Sequence, residues 1–322
     1  MRLRRALLLA LAVVPALASL HASAPFLSRA ETVKPRKPGV VSFLAFGDSG
    51  TGGPGQRRVA ESMAKVIGAN PVDFALMLGD NFYPDGLASA SDPLFDQLFR
   101  DVYLKERFPF PFYITLGNHE YHRNAAANLK LGARDARWKM PARRYAFTAP
   151  LSDRESVLFL CLDTTAVDAP ARVTPDVDVR PPLEGVAEEL AAARGAAWRF
   201  VFGHHAFLTS GAHGESEPML KQLAPVLAAG KTDAYLCGHD HILESLSPVA
   251  GVPQIVSGGG GGWDRATPIV HVRRESLFRQ TGGGFVRAEI RPDAATFVFH
   301  DVEGVVRHTR TLFPQPKVEV TK

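Results

Sequence analysis

Val40-Val41-Ser42-Phe43-Leu44-Ala45-Phe46-Gly47-Asp48-Ser49-Gly50 decides the fold. Its first seven residues form a short, nearly unbroken apolar run, which reads as a strand buried on both faces, and the run stops at a glycine followed by a carboxylate. The arrangement recurs. Val72 to Leu78 leads into Gly79-Asp80-Asn81-Phe82-Tyr83, Phe112 to Leu116 into Gly117-Asn118-His119-Glu120, Arg199 to Phe202 into Gly203-His204, and Ala234 to Cys237 into Gly238-His239-Asp240-His241. Five strand ends each offer a residue able to ligate a metal. In an open α/β sheet such positions share the carboxyl edge, where sites form.

Between the strands lie helical signals. Gln56 to Ile67 places Val59, Met63, Val66 and Ile67 on one face, and Pro93 to Leu104 forms a second helix, giving βαβαβ order. The second half repeats the theme with Val157 to Leu162, a helix over Val186 to Ala193, Arg199 to Phe202, a helix over Glu217 to Ala228, and Ala234 to Cys237. Gln254 to Ser257, Phe285 to Ile290, Thr296 to His300 and Val305 to Leu312 read as closing strands separated by Gly and Pro-Asp turns. The expected fold class is α/β, one domain over 40–315, with two mixed β-sheets face to face and helices outside.

The donors favour a two-metal site, which needs ligands delivered from distant parts of the chain and one carboxylate to bridge both cations. Asp48, Asp80, Asn118, His204, His239 and His241 supply them. The glycine before each donor lets the backbone turn sharply at the strand end. His239 and His241 are two residues apart, so in an extended segment both point the same way and each serves a different metal.

The five blocks in this order resemble the metallophosphoesterase superfamily, and Asp80-Asn81-Phe82-Tyr83 narrows the resemblance to the purple acid phosphatases. It is to the short, mammalian tartrate-resistant type, over roughly Phe43 to Asp264. Gly50 stands where most metallophosphoesterases carry a His, and Tyr83 stands three residues after Asp80, as in the purple enzymes. The resemblance implies the four-layer αββα sandwich of that superfamily. It assigns Asp48, Asp80, Tyr83 and His241 to iron(III), and Asp80, Asn118, His204 and His239 to a second cation, which such a donor set allows to be iron(II), zinc or manganese. It makes His119 and His213 catalytic, holding phosphate and assisting the leaving group, a task suited to imidazole in mildly acidic water.

The implied reaction is hydrolysis of phosphate monoesters, small molecules or phosphoproteins, by a metal-bound hydroxide. A phosphodiesterase or nucleotidase on the same cradle is the nearest alternative. A non-catalytic metal-binding protein is the alternative from another class, and a redox role for the iron pair, credited to the mammalian-type relatives, is secondary.

The remaining histidines read differently. His122 and His205 have no ligand role in the pattern and read as solvated or supporting residues; His271, His300 and His308 in the late strands read as structural. Glu120 either orients a neighbouring histidine or lies exposed. Gly258 to Gly262 is expected to let backbone approach the metals, whereas the Pro-rich stretch Ala169 to Pro182 reads as a connector or a border of the site. Gly50-Thr51-Gly52-Gly53-Pro54-Gly55 matches the three-glycine dinucleotide pattern, but the aspartate blocks explain the same strand ends better and no Walker lysine follows.

At the start of the chain, Arg2, Arg4 and Arg5 precede the apolar run Ala6 to Leu20 and the small-residue stretch His21-Ala22-Ser23-Ala24. This is the pattern of a secretory signal over 1–24, its cleavage point blurred by Pro25, with Arg4-Arg5 leaving the twin-arginine route open. The run is too short for a membrane span and carries Pro15. The expected location is periplasmic or secreted. Residues 25–39 read as a Pro-rich tether and 316–322 as a tail. Loss of the three leader arginines lowers the formal charge of the 322-residue chain from +4 to +1, so charge gives no support for nucleic-acid binding. The only two cysteines, Cys161 and Cys237, sit in apolar runs and are expected to be buried free thiols. No feature fixes the oligomeric state.

Overall fold

A computed structural model of the protein describes residue 27 and residues 30–173, 182–193, 195–262 and 269–314. The signal segment, most of the Pro-rich stretch at 174–181 and the tail lie outside the described residues. Among the described residues the fifteen strands are β1 (Glu31–Thr32), β2 (Val41–Phe46), β3 (Phe74–Leu78), β4 (Phe112–Thr115), β5 (Trp138–Lys139), β6 (Tyr145–Pro150), β7 (Ser156–Cys161), β8 (Ala196–Phe202), β9 (Ala234–Cys237), β10 (Ile242–Val249), β11 (Val252–Ser257), β12 (Ser276–Thr281), β13 (Gly284–Ile290), β14 (Ala295–Asp301) and β15 (Val306–Leu312). The α-helices are α1 (Pro54–Ala69), α2 (Thr165–Asp168), α3 (Val186–Ala192) and α4 (Ala224–Ala229).

These strands build two mixed sheets. One runs β1-β6-β7-β8-β9-β11-β10-β12 and the other β15-β14-β13-β2-β3-β4-β5. Strands β2, β3 and β4 pair in parallel, as do β7, β8, β9 and β11, while β13 to β15 return antiparallel and close the second sheet. The two-residue period of β7 explains the layering. Val157, Phe159 and Cys161 point into the core between the sheets, and Leu158 and Leu160 point outward beneath α3 and α4. The inner core is aromatic: Phe159 packs edge-on to Phe43 and Phe74 at 5.3 and 5.2 Å and stacks on Phe147 at 4.8 Å. On the far side, Val59, Met63 and Ile67 of α1 bury against the second sheet. Cys161 faces the inner core and Cys237 the outer cluster, so two thiols on opposite faces of one sheet stay free.

Three local readings change. Where helices were expected over Pro93 to Leu104 and Glu217 to Ala228, π-helical turns occupy Asp96–Arg100 and Met219–Leu223, and only α4 continues the second. Within 25–39, Glu31–Thr32 pairs in parallel with β6, and the Val33 amide donates to the Thr148 carbonyl at 2.7 Å, so this part of the expected tether is an edge of the first sheet. Strands β6, β10 and β12 carry no expectation from the sequence. Each lacks a clean apolar run, with Pro150 in β6, Glu244, Ser245, Ser247 and Pro248 in β10, and exposed Leu277 in β12.

The sheets are stitched together at one edge. The Gly47 amide donates to the Ser257 carbonyl at 2.7 Å, Ser257 Oγ to the Ala45 carbonyl at 2.8 Å, and Thr115 Oγ1 to the Leu162 carbonyl at 3.0 Å. That edge is the carboxyl end of β2, β3, β4, β8 and β9. No helix among the described residues is long and apolar enough to cross a membrane.

Candidate metal centre

The loops leaving β2, β3, β4, β8 and β9 bring the seven donors together across that edge. Tyr83 Oη lies 3.2 Å from Asp48 Oδ1, 3.0 Å from Asp80 Oδ2 and 3.1 Å from His241 Nε2. A second group meets beside it. His204 Nε2 lies 3.4 Å from Asp80 Oδ2, 3.3 Å from Asn118 Oδ1 and 3.1 Å from His239 Nδ1. Asp80 Oδ2 is common to both groups, while Asp80 Oδ1 is taken by the His119 amide at 3.0 Å.

Hydrogen bonds behind the donors aim them. His241 Nδ1 donates to the Gly262 carbonyl and His204 Nδ1 to the Leu78 carbonyl, both at 2.8 Å, which turns each Nε2 inward. The His239 amide donates to Asp48 Oδ2 at 2.9 Å, leaving Oδ1 to face Tyr83. Thr164 Oγ1 accepts the amides of His204 and His205 at 3.0 Å each and fixes the turn after β8.

Backbone geometry corrects two expectations. Asp48, Asp80 and His239 themselves adopt left-handed φ of 57°, 51° and 73°, a strained state for residues with a side chain. Of the glycines preceding the donors only Gly79 has positive φ; Gly117 and Gly238 instead leave room, because a Cβ there would overlap Asp80 and Asp48 respectively. His239 to His241 is accordingly a turn rather than an extended segment, and the two rings reach different groups of donors through it. Gly50 is a steric necessity: a Cβ would overlap the Asn81 backbone, so no histidine fits where related sites carry one. The Gly258 to Gly262 run packs tightly against Gly47, Ser49, Asp48 and His241.

The charges are mutually dependent. Burial would raise Asp80, yet His204 and His119 hold it below the usual carboxylate range. Burial, abetted by Asp80, pushes Asp48 up. Burial also opposes a charge on His204, but the carboxylates of Asp80 and Asp48 prevail and hold it at about 10. His239 and His241 are depressed, chiefly by burial. The Tyr83 phenol is pushed well above its ordinary value, first by burial and then by Asp80 and Asp48. A phenol proton serves one acceptor, and three surround it. This donor set of buried carboxylates, phenol, amide and inward-facing imidazoles fits a pair of cations.

Glu120 was the residue whose role the sequence hid. It is fully buried, and its carboxylate accepts four backbone amides: Asn81 and Phe82 on Oε1 at 2.7 and 3.2 Å, Asp80 and Gly117 on Oε2 at 3.1 and 2.6 Å. Burial, then the adjacent Asp80, raises it to about 8. It thus ties the loop bearing Asp80 and Tyr83 to the loop bearing Asn118. Its place in the short Gly117-Asn118-His119-Glu120 turn was the available signal.

His119 packs on Tyr83 with ring centroids 4.5 Å apart and donates Nδ1 to the Pro84 carbonyl, and its Nε2 lies 3.9 Å from Asp80 Oδ2. His213 stacks on His239 at 3.9 Å with its outer side exposed. His205 is buried, holds Thr164 at 3.0 Å and packs against His239 with ring centroids 4.5 Å apart, so it supports a donor. His122 lies at the rim beside His119 and 3.5 Å from Asp85. His300 and His308 pack in the closing strands on Phe285 and Phe278, and His271 lies against Gly214.

The sequence profile of the Calcineurin-like phosphoesterase family matches residues 41–243. Purple acid phosphatase 3 of Arabidopsis thaliana is 34% identical over 309 residues, spanning 90% of this chain and 82% of the relative. The chain belongs to the purple acid phosphatase family. Tartrate-resistant acid phosphatase type 5 of Mus musculus is similar at 30% identity over 289 residues, covering 82% of this chain and 88% of that protein. Among solved structures, GAP50, the anchor in the inner membrane complex of Plasmodium, superimposes with a TM-score of 0.77 at 24% identity over 87% of this chain and 90% of its own, which speaks for the fold alone. As a purple acid phosphatase the chain is a phosphoesterase hydrolase, and this membership implies a dinuclear metal centre. The buried cluster Asp48, Asp80 and His204 lies at the junction of the two donor groups.

Proposed function

We propose that the chain is an exported acid phosphatase that hydrolyses phosphate monoesters at iron(III) beside Tyr83 and a second cation, iron(II), zinc or manganese, beside His204. One observation carries this reading. Asp80 Oδ2 stands between Tyr83 Oη at 3.0 Å and His204 Nε2 at 3.4 Å, so one carboxylate oxygen serves both donor groups, as a bridged cation pair requires. When bound, the cations neutralise the phosphate oxygens and acidify the attacking water.

The side chains supply the rest. Asp80, held below the usual carboxylate range, keeps a negative charge under the site, and Glu120 holds the loops that carry Asp80, Tyr83 and Asn118. With Nδ1 committed to Pro84, His119 presents Nε2 to a phosphate oxygen. The exposed imidazole of His213 gives a proton to the ester oxygen as the bond from phosphorus to that oxygen breaks. The products are an alcohol and inorganic phosphate, with the water oxygen on phosphorus. Export is supported by the charged, apolar and small-residue segments of 1–24.

Turnover of 4-nitrophenyl phosphate against bis(4-nitrophenyl) phosphate tests the reading. The monoester is expected to be much the better substrate. A preference for the diester would replace it with a phosphodiesterase.

A further inference from the structure

The loop after β8 carries His213, and three fully buried side chains hold it from beneath. Gln254 of β11 accepts the Phe207 amide at 2.7 Å and donates to the Leu208 carbonyl at 2.6 Å. Glu244 of β10 accepts the Ser210 amide and hydroxyl at 2.8 and 2.6 Å. Asp240 accepts the His213 amide on Oδ1 at 3.2 Å. Gly211 sits directly on that carboxylate, so close that a Cβ would come within 2.5 Å of Asp240 Cγ. From the outer side, the amides of Val270 and His271 donate to the Ser210 carbonyl at 3.0 and 3.1 Å, and Arg273 Nε donates to the Thr209 carbonyl at 3.2 Å.

Asp240 is the unusual member of this set. Its Oδ2 is buried without a hydrogen-bond partner among the described residues, an arrangement that costs stability unless the carboxylate serves another purpose. Its one side-chain hydrogen bond among the described residues goes to the backbone of His213, whose ring stacks on His239. We propose that Asp240 is a positioning residue for His213: by accepting the His213 amide and seating Gly211, it holds the imidazole over His239, at the edge of the donor cluster. This rests on His213 being the proton donor to the leaving group. Without the seat, the ring is free to turn into the solvent that already reaches it. Only esters whose leaving oxygen needs a proton then slow, because 4-nitrophenolate departs unaided and a simple alkoxide does not.

The test compares Gly211→Ala, Asp240→Ala and Asp240→Asn in the full chain. Amide hydrogen exchange, independent of turnover, is expected to rise at 211–214 in Gly211→Ala and Asp240→Ala, to stay low at 207–208 held by Gln254, and to stay near the parent level in Asp240→Asn, which keeps the Oδ1 acceptor. The kcat for an alkyl phosphate is expected to fall by ~10-fold or more in the first two variants, a part of the roughly 100- to 10,000-fold that general acid catalysis contributes, with 4-nitrophenyl phosphate changed less than about threefold. Unchanged exchange at 211–214 in Gly211→Ala overturns the proposal, as does equal slowing of both substrates. If Asp240→Ala does not fold, Gly211→Ala decides alone. A parent protein inactive on every monoester, with exchange responding as expected, would instead defeat the phosphatase reading and leave the anchoring standing.

Discussion

Tyr83 Oη stands 3.1 Å from Nε2 of His241, a residue 158 positions further along the chain. The contact joins a loop of the second sheet to a loop of the first, and it puts a phenol against an imidazole whose Nδ1 is already spent on Gly262. With Asp48 and Asp80 on its other sides, the phenol has more acceptors than protons. A cation in place of that proton would draw on all of these donors.

Proton release should follow metal uptake. In the metal-free protein His204 is held at about 10, so it is protonated at pH 7, and Tyr83 keeps its phenol proton because burial and the carboxylates raise it. Cations displace both, so affinity rises with pH and falls in acid. Calorimetry in two buffers of different ionisation enthalpy should find at least the two protons of His204 and Tyr83 released per cation pair. Release of none would mean that these groups are not ligands.

Glu120→Gln removes one carboxylate oxygen from four backbone amides and sets an NH₂ against two of them. Each stranded amide costs about 1–3 kcal/mol, and metal affinity should fall by about 10–100-fold. Denaturant unfolding and metal titration read the two effects. An unaltered affinity would make Glu120 a packing residue only.

Two glycines make a matched pair. Gly50→Ala pushes a methyl into the Asn81 backbone and should displace the loop bearing Asp80 and Tyr83, with loss of bound metal. Gly68→Ala, in α1 with nothing within 4 Å of the new Cβ, should stabilise the fold by about 0.5–1 kcal/mol. Metal content and unfolding midpoints compare them, and equal behaviour would refute the steric reading of Gly50.

Phe159→Ala opens a hole among Phe43, Phe74 and Phe147 between the sheets. The expected loss is about 3–5 kcal/mol in denaturant unfolding, with kcat per folded molecule unchanged. A selective fall in kcat would show that the core reaches the site.

What the sequence disclosed follows from where burial lies. Strands such as β2, β3 and β9 are covered on both faces and announce themselves as apolar runs, and the donors were legible because each directly follows one. Strand β10 gives no such run because Glu244 and Ser245 interrupt it, and Glu244 is buried where it receives Ser210 from a distant loop. Glu120 and Asp240 posed the same difficulty: nothing local distinguishes a buried carboxylate that gathers amides from an exposed one. The left-handed backbone of Asp48, Asp80 and His239 was equally hidden, since residues of these types give no conformational signal comparable to glycine's.

The visible absorption spectrum of the iron-loaded protein beside that of Tyr83→Phe, each with its iron content measured, tests the assignment of iron(III) to the Tyr83 side most directly. The expected result is a charge-transfer band from tyrosinate to iron(III) in the parent protein that disappears in the variant while iron remains bound. A parent protein that binds iron without colour, or a band that survives in Tyr83→Phe, would contradict it.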